Sequence, residues 1–548
     1  MTARRGKSGE QKSTGASRAL PDGLPPGIET EVKFATTPEG FQQAFLSPQL
    51  GGGLTARPQT LRSVYFDTPE RHLLGHGIVL RLRKSAGTPP VMTVKMPAVG
   101  HAGPFRRRET EVRTAAMAPN LELFEPKLAR HLRRLTGEQP LEAQFETRVT
   151  RRTRQIDFED AAIEIAFDEG KIVTTGGAQL AICEIELELK SGDAGHLYDF
   201  AARAAESLPL RLDIVSKSEK GFRLRSGETP LAVKAKFIDL NSSATFDQLI
   251  ASVLAASLTQ FTANWAPLLE SDAAEPIHQL RVSLRRLRSA LKIFGRRVNC
   301  GGFDVLRAEA KRIATALGEA RALDALHSDA AKGPMASPSR PVGCGALMAR
   351  TLQRRASAHE QARELIKDTA ATLFALRLQT MIARHAWRDG LVESGAGLLS
   401  QPARDFAAGA LDKLLARARK RGGKLLKRSD EERHALRIAL KDLRYGIEFF
   451  AGLFGHARKV TDYLALLGTL QDILGAHNDA ITSARLLQDL SAGCEPEIVH
   501  AAGYVEGWQT RGRPMTEQSL GSAWKALKSL KPFWHGGPAT AISERFCR

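Results

Sequence analysis

Residues 183–190 read CEIELELK, with charged and apolar side chains in strict alternation. Period two is the mark of an extended strand, so Glu184, Glu186, Glu188 and Lys190 share one face while Ile185, Leu187 and Leu189 share the other. A row of carboxylates on one face repels itself unless water or cations neutralise it, which restricts what that face can meet. The same pattern recurs upstream. Glu29, Glu31 and Lys33 alternate with Ile28, Val32 and Phe34; Arg81 and Arg83 lie opposite Leu80 and Leu82; Lys95, the pair Glu109 and Glu111, Glu164 and Asp168 add to the set. The strand-like segments IETEVKF, LRSVYFDT, IVLRLRK, PVMTVKM, RRRETEVRT, AIEIAFDEG, GKIVTT and LAICEIELELK occupy residues 28 to about 224, with helical inserts near 122–135 and 194–208. Two architectures satisfy this pattern: one sheet with a solvated face, or a barrel whose charged face lines a tunnel and whose outside is covered by helices.

From about Phe246 the period changes to that of helices, in long Ala, Leu and Arg-rich segments. His278, Arg281, Arg285, Arg288 and Lys292 step by three and four and therefore form one stripe of one helix. His434, Arg437, Lys441 and Arg444 repeat the steps, with Lys441 in the place of Arg285 and Glu448 in the place of Lys292. Each stripe is followed, at nearly the same spacing, by an Asp in a Leu-Gly context, Asp324 and Asp479. The repetition indicates a duplicated helical bundle. Residues 278–297 hold seven Lys and Arg and no Asp or Glu, so the helix lacks its own i,i+4 acidic partners and favours an anion as neutraliser. Asp324 and Asp479, with no second carboxylate nearby in sequence, are expected to order basic side chains. The expected units are a tail at 1–27, a strand domain at 28–225, a linker at 226–244, a helical domain at 245–535 with repeats at about 245–330 and 400–535, and a tail at 536–548.

Lys and Arg number 79 against 60 Asp and Glu, a net charge of +19, which favours a polyanionic partner. Five Trp and five Tyr do not interleave with the basic clusters as a base-stacking surface would, so the charge alone points no more to bases than to bare phosphates, and nucleic acid is the less expected partner. No run suits a membrane span, no secretory leader is visible, and the expected compartment is the cytoplasm. Five scattered cysteines have neither disulfide nor zinc spacing. Gly51-Gly52-Gly53 lacks the endings of a phosphate-binding loop and is expected to be a turn.

The ordered series ExExK (29–33), YFDTP (65–69), LRLR (80–83), TVKMP (93–97), the acid pair 109 and 111, FDEG (167–170), CEIELELK (183–190) and SK (216–217) resembles the CYTH domain of triphosphate tunnel enzymes. The segments HQLRVSLRRLR (278–288), ALRIALKDLRY (435–445) and LQDILGAHND (470–479) resemble the CHAD domain, a conserved-histidine helical domain associated with polyphosphate. The resemblance implies an α+β antiparallel tunnel followed by an all-α duplicated bundle. It implies that Glu29, Glu31 and Lys33 are catalytic, that Lys33, Arg81, Arg83, Lys95, Arg152 and Lys217 contact phosphate, and that Glu29, Glu31, Glu111, Asp168, Glu184 and Glu186 face Mg²⁺ or Mn²⁺. In the helical half it implies that both stripes, His278 to Lys292 and His434 to Arg444, bind polyphosphate.

The function expected on these grounds is metal-dependent hydrolysis of inorganic triphosphate, with the helices binding inorganic polyphosphate. The competing expectations are a phosphatase or cyclase for organic triphosphates, a non-catalytic polyphosphate-binding or targeting protein, and nucleic-acid binding driven by the net charge.

Overall fold

Alternating residues send the apolar half of each strand outward and the charged half inward, and the sheet closes on itself. The computed structural model describes residues 27–53, 58–97, 104–137, 139–389, 391, 397–455, 457–511 and 517–535. The expected tails, apart from Gly27, lie outside these. The strands are β1 (Ile28–Ala35), β2 (Pro58–Asp67), β3 (Val79–Ser85), β4 (Val91–Pro97), β5 (Arg106–Arg113), β6 (Glu142–Phe158), β7 (Ala161–Thr174), β8 (Gln179–Ser191) and the short β9 (Arg211–Leu212). Their order is β5-β4-β3-β2-β6-β7-β8-β1-β9, and β1 also pairs with β5, which closes an eight-stranded antiparallel barrel. The solvated open sheet is thereby excluded.

Outward-facing Val32, Phe34, Ile185 and Leu187 are fully buried against α1 (Pro38–Leu46) and α4 (Ala194–Ser207). On the other side Leu80, Leu82, Met92 and Val94 pack with Leu73 of α2 (His72–Gly75) and Leu132 of α3 (Pro126–Thr136). Each such side chain contributes about 1.5–3 kcal/mol by leaving water. The inward face is apolar only at one end. There Tyr65, Phe145, Val149, Ile172 and Ile182 form a plug under Phe222 of α5 (Lys217–Ser226). Tyr65 stacks on Phe145 at 4.6 Å, and Phe222 meets the same ring edge-on at 5.1 Å.

Two strand expectations need correction. The segment before Asp160, absent from the expected strands, is β6, which at 17 residues is longer than any other described strand. The two strands expected at 162–170 and 170–175 are one, β7, running straight through Gly170. Glycine is required there because a Cβ would lie 2.1 Å from the Arg148 carbonyl oxygen on β6.

The helical region comprises α6 (Phe246–Ala263), α7 (Trp265–Glu270), α8 (Ala274–Phe294), α9 (Gly301–Ala316), α10 (Gly318–Lys332), α11 (Cys344–Lys367), α12 (Thr369–Ala383), α13 (Ala403–Arg421), α14 (Asp430–Phe450), α15 (Ala457–Ser491), α16 (Pro496–Arg511) and α17 (Glu517–Ser529). None is long and apolar enough to cross a membrane. The stripe helices α8 and α14 are tied to each other: Ser289 Oγ and Lys292 Nζ donate to Asp442 at 3.0 and 2.8 Å, and Arg286 pairs with Glu448. Barrel and bundle share one apolar core. At the seam, Leu212 N donates to Thr372 Oγ1 at 3.1 Å and Arg384 pairs with Asp199 at 2.7 Å.

Candidate active site and anion groove

The barrel encloses a cavity of about 460 Å³ lined by Glu29, Glu31 and Lys33 of β1, Arg81 and Arg83 of β3, Lys95 of β4, Glu109 and Glu111 of β5, Arg151 of β6, and Glu186, Glu188 and Lys190 of β8. Ser216, Lys217 and Ser218 close it from the first turn of α5, where Ser216 Oγ caps the helix by accepting from Glu219 N at 3.2 Å. Backbone N–H groups at such an end favour an anion.

Most of these charges are already paired. Lys95 Nζ bonds Glu29 at 2.6 Å and Glu109 at 3.0 Å, and Arg81 lies 3.3 Å from Glu109 and 3.7 Å from Glu111. Lys217 bonds Glu186 at 2.6 Å, Glu184 at 2.8 Å and Asp168 at 2.9 Å. Burial resists the charge on Glu186, yet Lys217 and Arg151 hold its carboxyl well below the usual range. Three groups are left over: Arg83, Glu31, and Arg107 of β5, which also lines the cavity and, among the described residues, meets no carboxylate. Among the described residues Arg83 has no carboxylate partner within ion-pair distance; its Nε donates only to Ser63 Oγ at 3.3 Å. Burial, then Arg81 and Arg151, push its pKa down to about 10. Among the described residues Glu31 has no cation in contact; burial and the carboxylates of Glu29 and Glu186 push its pKa up. Unneutralised cations and an unneutralised carboxylate thus face the same cavity.

A second cavity, of about 750 Å³, lies in the helical region between the two stripes. His278, Arg281 and Arg285 of α8 and Arg437, Lys441 and Arg444 of α14 line it, joined by Arg321 of α10. Burial and the neighbouring Arg285 and Arg437 lower the Lys441 pKa to about 7, and burial with Arg285 and Arg321 lowers that of Arg281 to about 10. Three carboxylates reach this cavity, those of Glu448, Asp472 and Asp479, against nine Lys and Arg.

Residues 27–222 match the CYTH domain and residues 252–488 match the CHAD domain. The chain joins a CYTH domain to a CHAD domain. An inorganic triphosphatase from Haemophilus influenzae is 32% identical over 212 residues, which are 36% of this chain and 55% of that protein, so the chain spans about half the length of this curated relative. Among solved structures, the crystal structure of the CHAD domain from the plant Ricinus communis is 26% identical and covers 55% of this chain and 98% of its own, with a TM-score of 0.48. PptA from Streptomyces chartreusis is 18% identical, covers 52% and 100%, and has a TM-score of 0.39.

Within the CYTH domain the structure brings Glu29, Glu31, Lys33, Arg81, Arg83, Lys95, Glu111, Glu186 and Lys217 to one cavity. Asp168 and Glu184 are fully buried beneath it, where Lys217 and, respectively, Arg151 and Lys220 hold them. Arg152 lies outside. It leans on Phe45 with its guanidinium 4.6 Å from the ring centroid and is 3.3 Å from Glu169. Its neighbour Arg151 occupies the tunnel, bonding both oxygens of Asp168 at 2.7 and 2.6 Å. The register explains the swap: Arg151 stands opposite Asp168 on β7, an inward position, and Arg152 opposite the outward Phe167. Sequence reading also missed Lys220 and Asp213, which bond each other at 2.7 Å behind Lys33.

No three of His, Cys, Asp and Glu converge into a ready-made metal cage among the described residues. The donor set nevertheless fits a hard divalent cation, which takes one or two carboxylates and leaves its other positions to water and phosphate oxygens. Glu31 is the free carboxylate, and Glu29 and Glu186 stand close enough to raise its pKa.

In the CHAD domain, His278, Arg281, Arg285, Arg437, Lys441 and Arg444 line the groove, whereas Arg288, Lys292 and His434 do not. Lys292 is engaged by Asp442, so the acidic partners missing from α8 are supplied by α14. Asp324 is buried between Arg355 at 2.7 Å and His359 at 2.9 Å; Asp479 approaches Arg437 at 3.9 Å.

Proposed function

We propose that the CYTH domain hydrolyses inorganic triphosphate with Mg²⁺ or Mn²⁺, and that the CHAD groove binds inorganic polyphosphate. The observation that carries the first part is the pairing of leftovers in the tunnel: Arg83 lacks an anion and Glu31 lacks a cation, and a metal-bound phosphate chain supplies both. Arg83 and Arg81, whose planar guanidinium groups suit phosphate oxygens, and the point charges of Lys33 and Lys95 would grip the chain. The first turn of α5 adds its N–H groups at the closed end. Glu31, with Glu29 and Glu186 beside it, would hold the cation, which on binding screens the phosphoryl charge and lowers the pKa of the attacking water. Water attacks the terminal phosphorus and pyrophosphate leaves. The protein's contribution is position and charge, fixed in advance by the ion pairs that lock Lys95 and Lys217 in place.

The groove reading rests on two basic helix faces, repeated in sequence, that line one cavity with few carboxylates. Phosphate release from tripolyphosphate, pyrophosphate, ATP, thiamine triphosphate and long polyphosphate, each with Mg²⁺ and Mn²⁺, tests the activity. Turnover of ATP above tripolyphosphate, or formation of a cyclic nucleotide, would replace it with an organic triphosphate reading, and no turnover at all would leave a binding protein. Displacement of bound polyphosphate by duplex DNA at matched salt would overturn the choice of partner.

A further inference from the structure

Between the CYTH match and the CHAD match runs a segment that belongs to neither, residues 223–251. Its middle is pinned at two points. Upstream, Val233 exchanges two hydrogen bonds with the fully buried Asn264 at the end of α6, its N donating to Oδ1 and its carbonyl accepting from Nδ2, both at 2.9 Å. Downstream, Ile238 and Leu240 are buried, and their carbonyls press on Gly452 so closely that a Cβ there would lie 2.9 and 3.1 Å away. Between these anchors residues 234–237 line the groove. Lys234 and Lys236 are exposed, and among the described residues neither meets a carboxylate. Regular secondary structure is absent from this stretch. An ordinary linker has no reason to be clamped on both sides of two unpaired lysines.

We infer that residues 234–237 form a strap across the mouth of the helical groove, and that Lys234 and Lys236 hold a polyphosphate chain from the side opposite α8 and α14. The inference rests on the polyphosphate reading of the groove and adds to it a binding element outside both domain families. A polyanion seated on two helices alone exposes one edge to water. The strap places cations on that edge, so that phosphates are held from two sides, and its anchors keep the two ammonium groups from retreating into solvent.

The test is binding of long-chain polyphosphate to the full-length protein at two salt concentrations, comparing the parent, Lys234→Gln/Lys236→Gln, Lys234→Arg/Lys236→Arg and Arg285→Gln. The double Gln variant should bind about tenfold more weakly at low salt. Its log-affinity against log-salt slope should fall by about 0.7 for each phosphate that is no longer neutralised, as for a flexible single-stranded polyanion. The double Arg variant should keep both affinity and slope. Unchanged thermal midpoints establish that the variants are folded. If Arg285→Gln weakens binding while the double Gln variant matches the parent in affinity and slope, the strap inference is overturned and the groove stands. If neither variant weakens binding, the groove reading itself fails and the strap falls with it.

Discussion

Replacing Glu31 by Gln should give a protein that is at least as stable as the parent and almost inactive. Burial raises the Glu31 carboxyl above its ordinary 4.5, and Glu29 and Glu186 raise it further, while Lys95 and Lys33 attract it without touching it. A carboxyl whose pKa is higher in the folded state contributes stability below the unfolded value, and that contribution is lost as pH rises through the folded value. At neutral pH the ionised side chain is therefore a net cost. Glutamine keeps the shape and removes the charge, and removals of an unfavourable charge commonly gain about 0.5–2 kcal/mol. For a barrel of roughly 200 residues each 1 kcal/mol raises the midpoint by about 2–4 °C. The gain should be complete above the raised pKa and should fade as the pH approaches 4.5.

On the proposed function the same exchange removes the carboxylate that would hold the metal, at a cost of about 10²–10³-fold in turnover. Metal and substrate should reverse the order of stability. With Mg²⁺ and tripolyphosphate at about 100 times their dissociation constant the parent gains about 2.7 kcal/mol, and the variant gains much less. Scanning calorimetry in chelator and again with Mg²⁺, beside a phosphate-release assay, reads all three quantities. A variant less stable than the parent in chelator, or one retaining turnover within about threefold, refutes the assignment of Glu31 as an unpaired functional carboxylate.

Excess chelator should abolish phosphate release from tripolyphosphate, and Mg²⁺ or Mn²⁺ should restore it, since the described carboxylates form no complete cage of their own. Arg151→Gln should lower turnover by at least about 10²-fold because it removes the cation that orients Asp168 and Glu186, whereas Arg152→Gln should keep turnover and cost about 0.5–1 kcal/mol of stability because its guanidinium no longer stacks on Phe45. Polyphosphate affinity should be greatest below pH 7 and fall by at most about tenfold per unit above it. Lys441 titrates near 7 in the free groove, facing Arg281 and Arg285 of α8, Arg437 of its own helix and Asp479 of α15, and a bound anion raises that value. Titration calorimetry on Lys441→Arg should show a flatter profile, and an unchanged pH profile in that variant would remove Lys441 from the binding surface.

Strand alternation made the barrel legible because its two faces have opposite chemistry: Val32 and Phe34 can only go to the core, and Glu29, Glu31 and Lys33 can only go where charge is tolerated. β6 escaped for the converse reason. Its inward Arg151 and outward Arg152 and Arg154 are all arginines, since the outward pair packs by stacking on Phe45, Phe41 and Phe167 rather than by being apolar. Period two then carries no contrast, and the parity of the arginines becomes readable only through the register with β7. The helical stripes were legible as far as the period runs, but a straight stripe is longer than the cavity it meets. Arg288 and Lys292 continue the pattern past the groove, and Lys292 turns to Asp442, a pairing between helices far apart in sequence. Lys234 and Lys236 had no periodicity to announce them, because what places them is a pair of anchors on α6 and near Gly452.

The two cavities solve the problem of holding a polyanion in opposite ways, and the difference predicts their different tasks. In the tunnel most cations are matched by a carboxylate, so the cavity offers little net attraction to a phosphate chain until a divalent cation arrives to balance the acids. On the proposed function, binding would thereby be conditional on the metal that the chemistry uses. In the groove the cations outnumber the carboxylates three to one, and burial together with the neighbouring arginines lowers the pKa of Lys441 to about 7 and that of Arg281 to about 10. On the proposed function such a surface, crowded with like charge, would be relieved by a phosphate chain with no metal needed to admit it. It provides attraction without a carboxylate set to position a cation beside the scissile bond, which suits holding a polymer rather than cutting it.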